Sequence, residues 1–325
     1  MILPESKIYV AGHRGLIGSA LMERLYEKGY CNLVYKKHDE LDLTRQDDVE
    51  TFFADEKPEY VILNAAVPAN SVNIRNNPVG LMLDNTAIIS NIISSCVKNS
   101  VKKLVYVCSI AAYPSDAACI STPDGFALLE DEMQPGRIEK ETERYYAMPK
   151  LLGEEICRAI NKTGKMQCVS VVVPHAYGYA YHYEDPNRLS VFPALIKRFY
   201  NATQTGAQYV EIWGTGKLRR ELTFVSDIAA AYELLLRSET ATGVYNVGSG
   251  RYVSVREMAE VIKSVSGYQG DIIFDITKPD AIEFPLLCSD KLRALGWKPE
   301  MTFVDGVKRA YSFFTEHYAN MRENE

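Results

Sequence analysis

The run Gly12-His13-Arg14-Gly15-Leu16-Ile17-Gly18 constrains this chain more than any other stretch, because of what stands on either side of it. A short apolar run over 7–11 precedes it. After it Ile17, Ala20, Leu21 and Leu25 recur at i, i+3, i+4 and i+8, until Gly29 ends the pattern. Strand, glycine triplet and amphipathic helix in that order are the context in which G-x-x-G-x-x-G binds a dinucleotide. Gly12 allows the tight turn out of the strand. Gly15 lets the backbone approach a pyrophosphate, and Gly18 lets the helix pack close to the strand. The helix N-terminus then faces the negative charge, with Leu16 and Ile17 in its first turn.

Further apolar runs at 32–35, 60–64, 104–109 and 168–174 are short and nearly continuous, as strands buried on both faces are. Helical periodicity fills the gaps between them. Alternating strands and helices with connections of this length predict an α/β fold, a doubly wound parallel sheet. After about residue 177 the chain becomes aromatic and turn-rich, and 246–250 (NVGSG) reads as a strand ending in a turn. A length of 325 residues accommodates two lobes. The expected division is a dinucleotide-binding domain over 1–176 and a smaller mixed substrate lobe over 177–325, with some segments of the latter returning to the former.

Charge and cysteines exclude other classes. Lys and Arg number 36 and Asp and Glu 42, a net charge of −6 with no basic block, which argues against a nucleic-acid partner. The seven cysteines show neither C-x-x-C nor zinc spacing, so free thiols in a reducing cytosol and no metal are expected. No leader is expected before the first strand, and the apolar stretch 104–113 is about half a membrane span. The expectation is a cytoplasmic protein without a membrane partner.

In this type of sheet the end of the second strand distinguishes the two nicotinamide cofactors. An acid there would bind a ribose 2′-hydroxyl. This chain has Lys36 and Lys37 instead, with Arg14 inside the glycine loop. Two lysines alone could as well solvate a loop; with Arg14 they suit a 2′-phosphate, and therefore NADP(H). Asp42 either reaches the adenine edge or caps a turn.

Tyr146-Ala147-Met148-Pro149-Lys150 is Y-x-x-x-K, leading into a helical stretch over 151–160. Residues four apart share a helix face, so a phenol and an ammonium point into one cleft. A lysine cation beside a phenol favours phenolate and makes Tyr146 a usable general acid or base. Pro149 sits most comfortably in a first helical turn, which places Tyr146 near the helix start. Tyr145 has no lysine four residues on. Ser109, closing the 104–109 strand, could hydrogen-bond the same substrate oxygen.

With these motifs the chain resembles the extended short-chain dehydrogenase/reductases, and among them the GDP-L-fucose synthases. The likeness runs through AGHRGLIGSAL, KKHDELDL, LMLDNTAIISNIISSCVKNSVKKLVYVCS, YAMPK, VFPALIKRF and WGTGKLRRELTFVSD. It implies a Rossmann-type fold, NADP(H), a GDP-4-keto-6-deoxy sugar substrate and a homodimer. By position, Ser109, Tyr146 and Lys150 match the family's reductase trio. Asn64, Ala65, Ala66, Asn85 and His175 join the cofactor side, Asn85 matching an asparagine that supports the catalytic region. Arg198, Trp213 and Arg220 match residues that contact the GDP-sugar, although a tryptophan there could equally be core packing. The helices over 85–98 and 151–160 carry apolar residues beyond one face, as a dimer's four-helix core would; burial against their own sheet would read the same way.

The departures concern proton transfer at C3 and C5. Where the family has a cysteine two residues after the serine, this chain has Ala111. The family's histidine position falls on Ser190, between Leu189 and Val191. Cys108 should face the opposite side of its strand. His175, in place of a family asparagine, and His182 are the remaining candidates for a base; a hydrogen-bonding role in a turn is the alternative for His175. A basic residue is missing from Phe284-Pro285-Leu286-Leu287. The stretch from Pro114 to Lys150 is longer and acidic (Glu130, Asp131, Glu132) and is expected to cross the mouth of the cleft.

The expected activity is therefore NADPH-dependent reduction of C4 in a GDP-4-keto hexose or heptose without C3/C5 epimerisation. A bifunctional 3,5-epimerase/4-reductase with a relocated acid–base pair is the alternative within the family. An NAD-retaining epimerase or dehydratase is disfavoured by the lysines after strand two. A non-catalytic NADP(H)-sensing protein is the alternative from another class, and the retained Y-x-x-x-K speaks against it.

Overall fold

The computed structural model describes residues 2–68, 76–138, 141–179 and 189–322; His182 lies outside them. Six strands form one parallel sheet: β1 (Ile8–Ala11), β2 (Leu33–Val34), β3 (Tyr60–Leu63) and β4 (Lys103–Ser109) from the first half, then β7 (Gln167–Val173) and β11 (Gly243–Asn246). Their order across the sheet is β2-β1-β3-β4-β7-β11. The predicted strands are present within a residue or two. The second is the shortest, because from Tyr35 the chain turns outward and Lys36 and Lys37 are exposed.

Period-two alternation sends residues to both faces, and both faces are covered. Val10, Ile62, Val105 and Val169 share a cluster with Leu21 and Leu25 of α1 (Leu16–Glu27) and with Ile228 and Leu235 of Val225–Arg237. Tyr9, Val61, Leu104, Tyr106 and Cys108 pack on the other side with Phe53 of α2 (Gln46–Glu56), Ile89 and Ile92 of α3 (Pro78–Lys98), and Cys157 of α4 (Glu141–Thr163). α3 is long and apolar enough by composition to cross a membrane, but Ile88, Ile89, Ile92 and Ile93 are buried in this cluster.

α4 begins well before 151 and carries Pro149 in its interior. Tyr146 therefore lies in the second turn rather than at the helix start. Tertiary contacts override the proline's preference: Ala147 is fully buried and the Tyr106 hydroxyl donates to the Lys150 carbonyl at 3.0 Å. The 246–250 stretch also differs from its expected form, since the strand ends at Asn246 and lies in the large sheet beside β7.

The remaining strands make small sheets at the C-terminal end of the large one. β8 (His175–Tyr177) pairs parallel with β10 (Arg219–Phe224), which pairs antiparallel with β12 (Tyr252–Ser254). β9 (Tyr209–Trp213) pairs parallel with β13 (Asp271–Asp275). The long acidic stretch forms a hairpin, β5 (Cys119–Thr122) and β6 (Gly125–Leu128), whose second strand pairs with β14 (Leu286–Leu287). Two of its carboxylates are turned to backbone: Glu130 accepts from Asn246 N at 3.1 Å and Glu132 from Ala118 N at 3.0 Å.

Candidate active site

The winding of the sheet reverses between β1 and β3, and a crevice opens at such a switch point. Gly12 lies there with φ +86°, and a Cβ on it would stand 2.7 Å from the Ala65 nitrogen. A Cβ on Gly18 would stand 2.0 Å from the Gly12 carbonyl oxygen, so only glycine lets α1 approach the loop. Gly15 caps α1, whose first turn contains no acidic residue, and the first helical N–H groups lack intrahelical acceptors. Leu16 and Ile17 pack toward the core while Arg14 is exposed.

Asn64 donates its N–H to Ala11 O at 3.0 Å, tying the β3 loop to β1. Asn85 is buried and fully used. Its Oδ1 accepts from Val67 N at 2.9 Å, and its Nδ2 donates to Val67 O at 3.1 Å and Leu81 O at 2.9 Å. It thus acts on the crevice by holding the loop that carries Asn64, Ala65 and Ala66. Asp42 takes the turn role of its two readings, accepting from Thr44 N at 2.9 Å and Thr44 Oγ1 at 2.8 Å.

A contact missing from the sequence reading joins the glycine loop to the end of β2: the His13 and Tyr35 rings lie 4.7 Å apart. Burial and the Arg14 cation lower the His13 pKa, and its buried Nδ1 has no hydrogen-bond partner among the described residues. Open helix N–H groups, a glycine cradle, a buried orphan nitrogen and three nearby cations fit a phosphorylated dinucleotide.

Ser109 ends β4 and caps the following 3-10 turn, its Oγ accepting from Ala111 N at 3.2 Å. α4 packs across this turn and β4. The Lys150 Nζ donates to Val107 O at 3.1 Å and lies 5.8 Å from the centre of the Tyr146 ring. Burial lowers the Lys150 pKa to about 8. The expected depression of the Tyr146 phenol is not found: burial raises it, reinforced by Cys108 and Glu143. Desolvation disfavours phenolate more than the neighbouring ammonium favours it, so the group is held as a proton donor.

Arg198, Trp213 and Arg220 line one cleft of about 260 Å³, together with Ser190, Pro279 and Asp280. Trp213 is 60% exposed, which rules out core packing, and Lys278 Nζ lies 5.5 Å from its ring centre. Arg198 donates to Glu211 O at 3.0 Å; Arg220 is buried and donates to Ile282 O. Asp280 closes the rim by accepting from Thr215 N at 3.0 Å and Thr215 Oγ1 at 2.7 Å.

A family model described as NAD dependent epimerase/dehydratase family matches residues 8–248. The chain belongs to this family. GDP-L-fucose synthase 1 of Arabidopsis thaliana is 39% identical over 316 residues, 97% of this chain and 95% of that one. A GDP-D-glycero-L-gluco-heptose synthase from Campylobacter jejuni, solved in the presence of NADPH, is 30% identical with a TM-score of 0.83, covering 97% of this chain and 99% of that one. A GDP-mannoheptose C4 reductase from the same organism, with NADP bound, is 29% identical with a TM-score of 0.83, covering 97% and 100%.

At the two positions where the resemblance expects carbon acid–base groups, this chain has Ala111 and Ser190, whose side chains do not titrate near neutral pH. Ala111 is buried in a small apolar cluster with Ile138, Ala147 and Phe284. Ser190 is the N-cap of α5 (Val191–Thr205) and lines the cleft. Cys108 faces α4, as alternation requires, and burial raises its thiol pKa to about 12. His175 opens β8 with its ring centre 6.2 Å from that of Phe284. Burial and Arg220 lower its pKa to about 4, so at neutral pH it is an uncharged, weakly basic imidazole.

Phe284 and the His13–Tyr35 pair are the contacts that sequence reasoning missed. The signal was partial: Tyr35 borders the two lysines, and Phe284 stands where a basic residue was missing.

Proposed function

We propose that this chain is an NADPH-dependent reductase of the C4 carbonyl of a GDP-4-keto sugar and does not epimerise C3 or C5. One contrast carries the reading: Lys150 joins the Tyr146 ring to the Val107 carbonyl, two residues before Ser109, while Ala111 and Ser190 stand at the positions for carbon acid–base chemistry.

The bound cofactor would supply hydride, held by the Gly12–Gly18 loop with Arg14, Lys36 and Lys37 at a 2′-phosphate. Arg198 and Arg220 would bind the diphosphate, for which guanidinium geometry is suited, and Trp213 would offer a flat apolar face to the base. Ser109 Oγ orients the C4 oxygen and Tyr146 gives it a proton as the alkoxide forms. Lys150, held by the Val107 carbonyl, keeps positive charge beside the phenol and would hold the ribose of the bound cofactor. His175 is given no proton-transfer step, since its buried ring is engaged with the Glu221 backbone.

The test is turnover of GDP-4-keto-6-deoxy-D-mannose with NADPH in D₂O, read by mass and NMR. NADPH consumption with no carbon-bound deuterium at C3 or C5 is expected. Deuterium at those carbons would reinstate the bifunctional enzyme, and cofactor binding without turnover of any keto sugar would reinstate the sensor.

A cytoplasmic homodimer goes with this reading. Met82, Leu83 and Val97 of α3 and Met148 and Leu152 of α4 are exposed apolar residues on two helices that pack together, and all seven cysteines are free thiols. A Leu83→Glu variant that sediments as a monomer, beside a dimeric parent, would support it; a monomeric parent would refute it.

A further inference from the structure

Phe284 has no part in the chemistry above, yet the loop that carries it is tied at successive residues. Arg220 donates to Ile282 O. Arg219 holds Glu283 by an ion pair (Nη2 to Oε1, 2.6 Å) and by its own N–H (to Oε2, 3.0 Å). The Tyr252 hydroxyl donates to Phe284 O at 3.0 Å, and Leu287 N donates to Glu221 Oε2 at 2.8 Å. A loop so held presents its side chain in one orientation, as a specificity element requires.

The loop also spans the site. Its beginning, Pro279 to Ala281, lines the cleft with Arg198 and Trp213. Its Phe284 ring is half-buried against Ala111, two residues after Ser109, and Ala147, the neighbour of Tyr146, with Ile138 behind. A diphosphate held at Arg198 and Arg220, with the C4 oxygen at Ser109 and Tyr146, would set the one sugar ring between them beside the loop that carries Phe284. Ala111, Ile138 and Ala147 carry no polar side-chain atom. The polar ring beside them, His175, is engaged with the Glu221 backbone.

We propose that Phe284 is a specificity-determining residue that selects a keto sugar bearing a methyl at C5 over one bearing hydroxyls on that arm. This rests on the C4-reductase reading. A hydroxyl set against this wall would lose its water without gaining a partner. Apolar pockets discriminate by about 10–200-fold in such cases.

The experiment measures kcat/KM of NADPH oxidation for GDP-4-keto-6-deoxy-D-mannose and for the corresponding GDP-4-keto-heptose, hydroxylated at C6 and C7. Wild type should prefer the former by about 10–200-fold. Phe284→Ala should bring the two within a few-fold of each other, Phe284→Leu should retain most of the preference, and Phe284→Tyr should raise heptose turnover by restoring a partner. Circular dichroism and thermal melts separate these effects from unfolding. Equal turnover by wild type, or a preference unchanged in Phe284→Ala and Phe284→Tyr, would overturn the inference while leaving the reductase reading intact. Reduction of neither ketone would instead remove the reductase reading, and this inference with it.

Discussion

The Lys150 ammonium lies 5.8 Å from the centre of the Tyr146 ring while donating to the Val107 carbonyl at 3.1 Å. One turn of α4 thus connects the candidate proton donor to the end of the strand that carries Ser109. The lysine is buried, and its position is set by the sheet rather than by solvent.

Replacing Tyr146 by Phe removes the proton donor and little else. The rate of C4 reduction should fall by about 10²–10⁴-fold. Cofactor affinity, read by NADPH fluorescence, should be unchanged. Turnover near the wild-type rate would remove Tyr146 from the mechanism.

Lys150 gives opposite pH trends for stability and activity. Its pKa is lowered from 10.5 to about 8 in the folded chain. Across that window the unfolded chain binds more protons, so this group's contribution makes stability rise with pH. Activity should fall over the same window as the cation beside Tyr146 is lost. Denaturant melts and kcat between pH 7 and 10.5 test both, and Lys150→Met should make the rise in stability shallower by this group's share, leaving that of Lys103, which burial also lowers to about 8.

Arg14→Ala should weaken NADPH binding and leave NADH binding almost unchanged. A charged hydrogen bond contributes roughly 1.5–3 kcal/mol, or about 10–100-fold in affinity. Equal losses for both cofactors would place Arg14 away from the 2′-phosphate.

Gly15 and Gly18 should separate binding from folding. A Cβ at Gly18 collides with the Gly12 carbonyl, so Gly18→Ala should cost about 1–3 kcal/mol of stability. At Gly15 the added atom stands 3.4 Å from that carbonyl, close but not overlapping. Gly15→Ala should shift the melting transition much less than Gly18→Ala while weakening NADPH binding, as titration would show.

The strands, the glycine turn and the pairing of Tyr146 with Lys150 were legible because each depends on neighbours within a few residues. Alternation determines which side of β4 Cys108 faces, and helical spacing determines that Tyr146 and Lys150 share a face. The same local rules misplaced the start of α4. Pro149 favours a first turn, but burial of Ala147 and the Tyr106–Lys150 hydrogen bond hold it inside the helix. They also suggested that Lys150 lowers the Tyr146 pKa, whereas desolvation, which only packing sets, raises it.

By itself, then, the sequence determined the parallel sheet, the glycine turn that follows β1, and the spacing that sets Tyr146 and Lys150 on one helix face. Tertiary structure alone decided that Arg198, Trp213 and Arg220 line one cleft, that His13 meets Tyr35, and that Phe284 closes over Ala111 and Ala147. Local patterns are set by backbone geometry that repeats every two or 3.6 residues. Contacts between distant residues depend on how the sheets and helices pack, and no short-range period encodes them.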